Sequence, residues 1–85
     1  MRKVTNLNFG EALFALENRE KVARSGWNGN GMWLQLQVPD EHSKMTLPYV
    51  YLNYPEGSKA YPEGARVPWL ASQTDLLSKD WEIVD

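Results

Sequence analysis

Met32-Trp33-Leu34-Gln35-Leu36-Gln37-Val38 alternates without a break, with Met32, Leu34, Leu36 and Val38 on one face and Trp33, Gln35 and Gln37 on the other. Side chains of a strand point to opposite faces in turn, so this is the period of a half-buried strand in a sheet with one covered side. Tyr49 to Tyr54 repeats the pattern, setting Val50, Leu52 and Tyr54 against Tyr49, Tyr51 and Asn53. Between them Pro39-Asp40-Glu41-His42-Ser43-Lys44 is a polar loop. On the N-terminal side, Ser25-Gly26-Trp27-Asn28-Gly29-Asn30-Gly31 carries residue types that accept positive φ. It predicts a tight loop or hairpin turn after a short strand, Lys21-Val22-Ala23-Arg24.

Asn8-Phe9-Gly10-Glu11 predicts a helix start, with Asn8 as N-cap and Glu11 returning a hydrogen bond as in a capping box. Phe9, Ala12, Leu13 and Leu16 follow at helical spacing and give the helix, residues 9–19, an apolar stripe to lay on a sheet. Tyr54-Pro55-Glu56-Gly57 and Tyr61-Pro62-Glu63-Gly64 suit type I turns. Arg66 to Ala71 is extended around Pro68. Ser72-Gln73-Thr74-Asp75 has capping-box spacing ahead of a short helix ending near Lys79, and Trp81-Glu82-Ile83-Val84 is a closing strand. Helix, three or four strands, short helix, strand is an α+β order. It predicts a small antiparallel sheet with the N-terminal helix packed on it and a short second helix before the last strand.

The 85 residues make one domain, 1–85, with 42% hydrophobic and 24% charged residues, a globular composition. A chain this short removes only about 60 to 65% of its unfolded surface from water. With no cysteine it has no disulfide, thiolate metal site or cysteine nucleophile. Burial of further apolar surface between copies is the remaining route to a larger core, so a homo-oligomer is expected. Nine Lys plus Arg against eleven Asp plus Glu give a net charge of -2, and the basic residues are scattered. That argues against a long nucleic acid as partner, since such ligands are held by clustered cations. No apolar run is long enough to span a bilayer, and the N-terminus lacks a signal-peptide pattern, so a soluble, unexported protein is expected.

His42 beside Glu41 and Ser43 invites a catalytic or metal reading, but adjacent residues in a polar loop do not aim at one another, and one histidine without cysteines is a weak metal site. No cofactor or metal is expected. Four tryptophans are the conspicuous feature. Trp27 in a glycine-rich loop and Trp69 beside Pro68 lie outside any apolar period. They either fill loop-covered extensions of the core or offer stacking faces to a ligand. Aromatic faces bordered by amides, hydroxyls and carboxylates suit a purine nucleotide, and Asn28, Gln73, Thr74 and Asp75 supply those groups. A phosphate calls for Arg24, Arg66 or exposed backbone N–H groups, whereas Asp75 suits a ribose hydroxyl or base amine. Trp33, Tyr49 and Tyr51 share strand faces opposite the aliphatic ones and are expected to meet a ligand or another subunit.

Asn8 to Leu13, Val22 to Met32, and Val67 to Asp75 with Asp80-Trp81 resemble the Thoeris anti-defence 2 family of short phage and prophage proteins. The likeness runs from Asn8 to Val84 and is weakest over residues 39–65. It implies an α+β fold, no catalysis and a sponge role in the cytoplasm of the bacterial host. Members are homo-oligomers, usually tetramers, that bind and sequester glyco-cyclic ADP-ribose immune signals at subunit interfaces, and some hold cyclic oligonucleotides at a separate pocket. Combined with the residue reading, it points to Trp27 and Trp69 as apolar walls and to Arg24, Asn28, Gln73, Thr74 and Asp75 as polar contacts to a cyclic nucleotide. Two other classes compete: a small hydrolase or lyase using Asp75 and His42 as acid and base, and a protein-binding inhibitor anchored by Trp27, Trp33 and Tyr51.

Overall fold

The alternating segment is the middle of a six-stranded antiparallel sheet in the computed structural model, which describes residues 4–27, 31–55 and 64–84. In chain order the elements are β1 (Val4–Leu7), α1 (Phe9–Glu17), β2 (Lys21–Arg24), β3 (Trp33–Gln37), β4 (Tyr49–Asn53), β5 (Arg66–Pro68), α2 (Gln73–Leu77) and β6 (Trp81–Val84). The strands lie in the order β1-β6-β2-β3-β4-β5, each antiparallel to its neighbours. The α+β class is as expected, but the sheet is larger than the small one foreseen. The added strand is β1. Its four residues carry no alternation, its register shifts between Val4 and Leu7, and Asn6 sits at φ 60°, a left-handed kink that hides the strand period.

Both capping boxes form. Asn8 Oδ1 accepts from the Glu11 backbone N–H at 2.8 Å while the Asn8 N–H donates to Glu11 at 2.9 Å. Ser72 and Asp75 repeat this at 3.1 and 3.0 Å. Each helix ends two residues earlier than the spacing suggests. After α1 the chain turns left-handed at Arg19, φ 66°. After α2, Ser78 is extended and its hydroxyl donates back to the Thr74 carbonyl at 2.6 Å.

α1 packs on β2, β3 and β6, and also meets α2. Its buried stripe is Ala12, Ala15 and Leu16, which close over Val22, Leu34 and Trp81. Leu13, expected inward, is 40% exposed, and Ala15 takes its place. The 100° step of a helix centres the contact on the 12-15-16 ridge and leaves position 13 on its flank. Trp81, with no exposed surface, is the largest side chain in this core. Leu7, Phe9, Trp27, Val50, Leu52, Trp69 and Ile83 pack around it half-buried.

The strand registers set side chains of the other sheet face into rows. Ala23 pairs with Glu82, Trp33 with Asn53, and Asn53 with Arg66. Because Val22 pairs with Leu34, Ala23 stands beside Trp33, and one row runs from Glu82 to Arg66 across five strands. The next runs from Val84 through Lys21, Gln35 and Tyr51 to Pro68. α1 and α2 both lie on the opposite side, where Val22, Leu34 and Trp81 are buried.

Candidate functional site

Four of the residues singled out in the sequence converge where the loop after β2 meets the first turn of α2. Arg24, the last residue of β2, reaches two carboxylates: its Nε donates to Asp80 at 2.9 Å and its Nη1 to Asp75 at 2.8 Å. Asp80 also accepts from the Gly26 N–H at 2.9 Å, while the Ser25 N–H donates to the Asp80 carbonyl at 3.1 Å. These contacts clamp the turn against the start of β6. Gly26 does not adopt a positive φ, unlike Gly31 at 86°. What requires glycine there is space: a Cβ at position 26 would lie 2.7 Å from Asp80 Oδ2. Asn28 lies outside the described residues.

The clamp aims Trp27. Its indole Nε1–H donates to Asp75 Oδ1 at 3.3 Å, the same oxygen that Arg24 holds. Beneath, Trp81 Nε1–H donates to the Asp75 carbonyl at 2.9 Å. Trp27 and Trp69 each stand edge-on to Trp81, with centroids 5.5 and 6.0 Å away, and lie 6.5 Å from each other at 60°. Phe9 completes the group, 5.5 Å from Trp81 and 6.3 Å from Trp69. Trp27 and Trp69 therefore extend the core and also keep part of each ring at the surface. Gln73 and Thr74 are exposed in the first turn of α2, the helix whose Asp75 holds Trp27, and Leu70, which follows Trp69 in the chain, is 91% exposed.

Asp75 is the one buried charged residue among those described. Burial pushes its carboxyl up, but the backbone N–H of Ser72 and the Arg24, Ser72 and Trp27 side chains together outweigh that and hold it below the ordinary carboxylate value. For Asp80 the Arg24 hydrogen bond is the main cause of a lowered value, and the Gly26 N–H adds to it against a burial penalty. The Arg24 guanidinium is raised in turn, chiefly by Asp80 against burial, with Asp75 adding to it. One cation between two anions leaves the cluster at net -1, a surrounding better suited to hydroxyl and amine groups than to phosphate. Asp75 thus spends both oxygens within the protein, and what it presents outward is the orientation of the Trp27 ring.

The other candidates lie elsewhere. Arg66 is on the opposite sheet face, its Nε donating to Asn53 Oδ1 at 2.9 Å and its guanidinium 5.9 Å from the Tyr51 ring. There Trp33 stands edge-on to Tyr51 at 6.1 Å, and Lys21 lies 4.4 Å over the Trp33 ring. A cavity of about 140 Å³ opens beside them, lined by Gln37, Tyr49, Tyr51, Arg66, Val67 and Pro68. His42 is exposed, 3.6 Å from Glu41, in a loop ordered by the Asp40 carboxylate, which accepts from the His42 N–H and the Ser43 hydroxyl. It makes no contact with buried Asp75, so the two do not form the acid-base pair that hydrolysis would require. Among the described residues no three His, Asp or Glu side chains converge as a metal site, and no helix is long and apolar enough to cross a membrane.

Sequence reasoning missed Asp80 and Phe9 as members of this cluster. Asp80 sits between a helix and a strand and follows no period, and its partner Arg24 is distant in sequence, so only the folded chain joins them.

Residues 7–84 match the family model of the Thoeris anti-defense 2-like domain. The chain is also 40% identical over 86 residues to Thoeris anti-defense 2 of Bacillus phage SP01, an alignment covering 94% of this chain and 97% of that protein.

Proposed function

The chain belongs to the Thoeris anti-defense 2-like domain family, and from that membership we propose that it acts as a sponge in the cytoplasm of the bacterial host. In this reading it binds and sequesters cyclic ADP-ribose-type immune signals, glyco-cyclic ADP-ribose first among them, without cleaving them. The observation that carries the reading is the Trp27–Trp69 pair. Two half-buried indoles 6.5 Å apart, one of them fixed by Asp75, offer a purine a preset stacking wall, and Gln73 and Thr74 border it with hydrogen-bonding groups. A wall held in place before the ligand arrives loses little side-chain entropy on binding.

Sequestration sets a demand on affinity. A sponge must bind its signal well below the signal's own concentration, which puts the dissociation constant near nanomolar, about -12 kcal/mol. The Trp27–Trp69 wall lies on one side of a ligand only, so the far side is closed by a second subunit in a homo-oligomer, which we take to be a tetramer. Asn28, Gln73 and Thr74 are the polar contacts in this arrangement, and Arg24 and Asp75 act through Trp27.

The test is to mix the protein with the purified signal, confirm that the effector is no longer activated, then denature the protein and assay the supernatant. The sponge reading expects the active signal back intact. Recovery of a cleaved or linearised nucleotide overturns it and favours a hydrolase or lyase. Absence of binding, with a host protein captured instead, favours an inhibitor of an effector. Native mass spectrometry of the same mixture reads stoichiometry and ligand together.

A further inference from the structure

A backbone irregularity in β1 builds an apolar groove on the helix side of the sheet. Ile83 and Trp81 of β6 are two residues apart and share that side. Their partners on β1, Val4 and Leu7, are three apart and in a regular strand would point to opposite sides. The extra residue, with Asn6 left-handed at φ 60°, brings both to the helix side. Leu7 packs on the core there, whereas Val4 stays 38% exposed. Val4, Leu7 and Ile83 line one side of an open groove of about 470 Å³, and α1 contributes Ala15 and Phe14, the latter 69% exposed. A strand that departs from its own period to keep apolar side chains at the surface points to something that covers them. We infer that this groove seats one amphipathic helix of a partner protein, apolar on one face and carrying lysines or arginines beside it. No residue of the groove belongs to the Trp27–Trp69 site, so the inference stands apart from the sponge reading.

The charged residues that line the groove are all acidic: Glu11 and Glu20 are there, and no Lys, Arg or His is. Glu17 follows Phe14 by three residues as Glu11 precedes it by three, so the two acids flank the exposed ring on the helix surface. Glu11 spends an oxygen on the Asn8 N–H, but Glu17 and Glu20 have no side-chain partner among the described residues. Glu17 also stands in the last turn of α1, where the negative end of the helix dipole disfavours a carboxylate and no basic residue offsets it. A partner's cations relieve both the dipole and the clustered charge. The same charges exclude other occupants. A nucleotide, an acidic peptide or a fatty-acid carboxylate is repelled, and the same face of a second copy would set Glu17 and Glu20 against like charges. A strand added at β1 is disfavoured as well, because the left-handed Asn6 interrupts the backbone groups of that edge. A helix needs no such edge. Laid beside the nine residues of α1, it reaches the groove with apolar anchors at i, i+4 and i+7.

The probe is a pair of synthetic amphipathic peptides with the same leucines at i, i+4 and i+7, one with lysines at the flanking positions and its twin with glutamates. Each is titrated into the isotope-labelled full chain and followed by amide chemical shifts and calorimetry. The lysine peptide is expected to shift the amides of Leu7, Phe14 and Ile83, to bind at least about tenfold tighter than its twin, and to lose that advantage at high salt. Phe14→Ala is expected to weaken it about tenfold, and Glu17→Lys combined with Glu20→Lys to reverse the preference between the peptides. All three positions are exposed, and circular dichroism confirms that the variants fold. No binding by the lysine peptide, equal binding of the twins, shifts that fall outside the groove, or binding untouched by Phe14→Ala each overturns the inference. A lower oligomeric mass of Phe14→Ala in native mass spectrometry also overturns it, because a second copy is then the occupant. Nucleotide binding by these variants is expected to match that of the unaltered chain, so a failure of the sponge reading and a failure of this one are told apart.

Discussion

Replacing Asp75 with Ala removes more than a helix cap. A Ser/Asp cap interaction contributes roughly 1 kcal/mol, and Ser72→Ala measures that part alone. Asp75 also holds Arg24 at 2.8 Å with only 14% and 12% of the two side chains exposed, and it accepts from the Trp27 indole. A hydrogen bond to a charged group contributes about 1.5–3 kcal/mol in such a setting, and a donor left without a partner costs about 1–3 kcal/mol. These contributions share atoms and Arg24 keeps Asp80, so the sum is not reached, and a loss of about 3 kcal/mol is expected. For a domain of this size that lowers Tm by roughly 12–24 °C. Equilibrium urea unfolding of the unaltered chain, Ser72→Ala, Asp80→Ala and Asp75→Ala decides the matter. The expected order of loss places Asp75→Ala well beyond Ser72→Ala, with Asp80→Ala between them because that carboxylate is 29% exposed. If Asp75→Ala costs no more than Ser72→Ala, the bonds to Arg24 and Trp27 contribute nothing and the account of the site as a brace for Trp27 is wrong.

Both carboxyls of the cluster titrate below their ordinary range, so the stability they add is complete above the unfolded value near 4 and is lost as pH falls through the folded values. Thermal unfolding from pH 7 to pH 2 should show Tm falling below about pH 4, and Asp75→Asn should flatten that fall. Trp27→Ala or Trp69→Ala should weaken nucleotide binding by roughly 1–3 kcal/mol in calorimetry, and a loss of folding instead would assign that ring to the core alone. Arg19→Gly should raise stability by roughly 0.5–1 kcal/mol, because the left-handed backbone at φ 66° is strained for arginine. That gain is what remains after the extra freedom of glycine in the unfolded chain is set against the strain relieved, and urea unfolding reads it.

What could be read from the sequence was local. Asn8 with Glu11 and Ser72 with Asp75 are three residues apart, so their spacing alone fixes the reciprocal bonds that both helix starts display. The alternation from Trp33 to Gln37 fixed which face each residue takes because one strand period suffices. β1 was not legible because Asn6 bends it out of that period. The union of Arg24 with Asp75 and Asp80 joins residues more than fifty positions apart, and no window of sequence contains it. Gly26 looked like a residue needed for its backbone freedom, yet it is required for the room it leaves an aspartate. The two meanings open for Trp27 and Trp69 do not exclude each other, since each ring has one edge against Trp81 and another at the surface.

The placement of β6 between β1 and β2 governs the order in which this chain can fold. Val4 finds Ile83 and Lys21 finds Val84, pairings that close loops over most of the sequence before any reward is collected. A nascent chain that has made α1 through β5 still leaves Ala12, Leu16, Val22 and Leu34 without Trp81, the side chain they close around. The core is therefore complete only once β6 is in place. High contact order makes that step slow, and in the interval the unpaired edge of β2 is open to strands of neighbouring chains. During rapid synthesis at high copy number, the yield of working protein would depend on how quickly β6 reaches that edge.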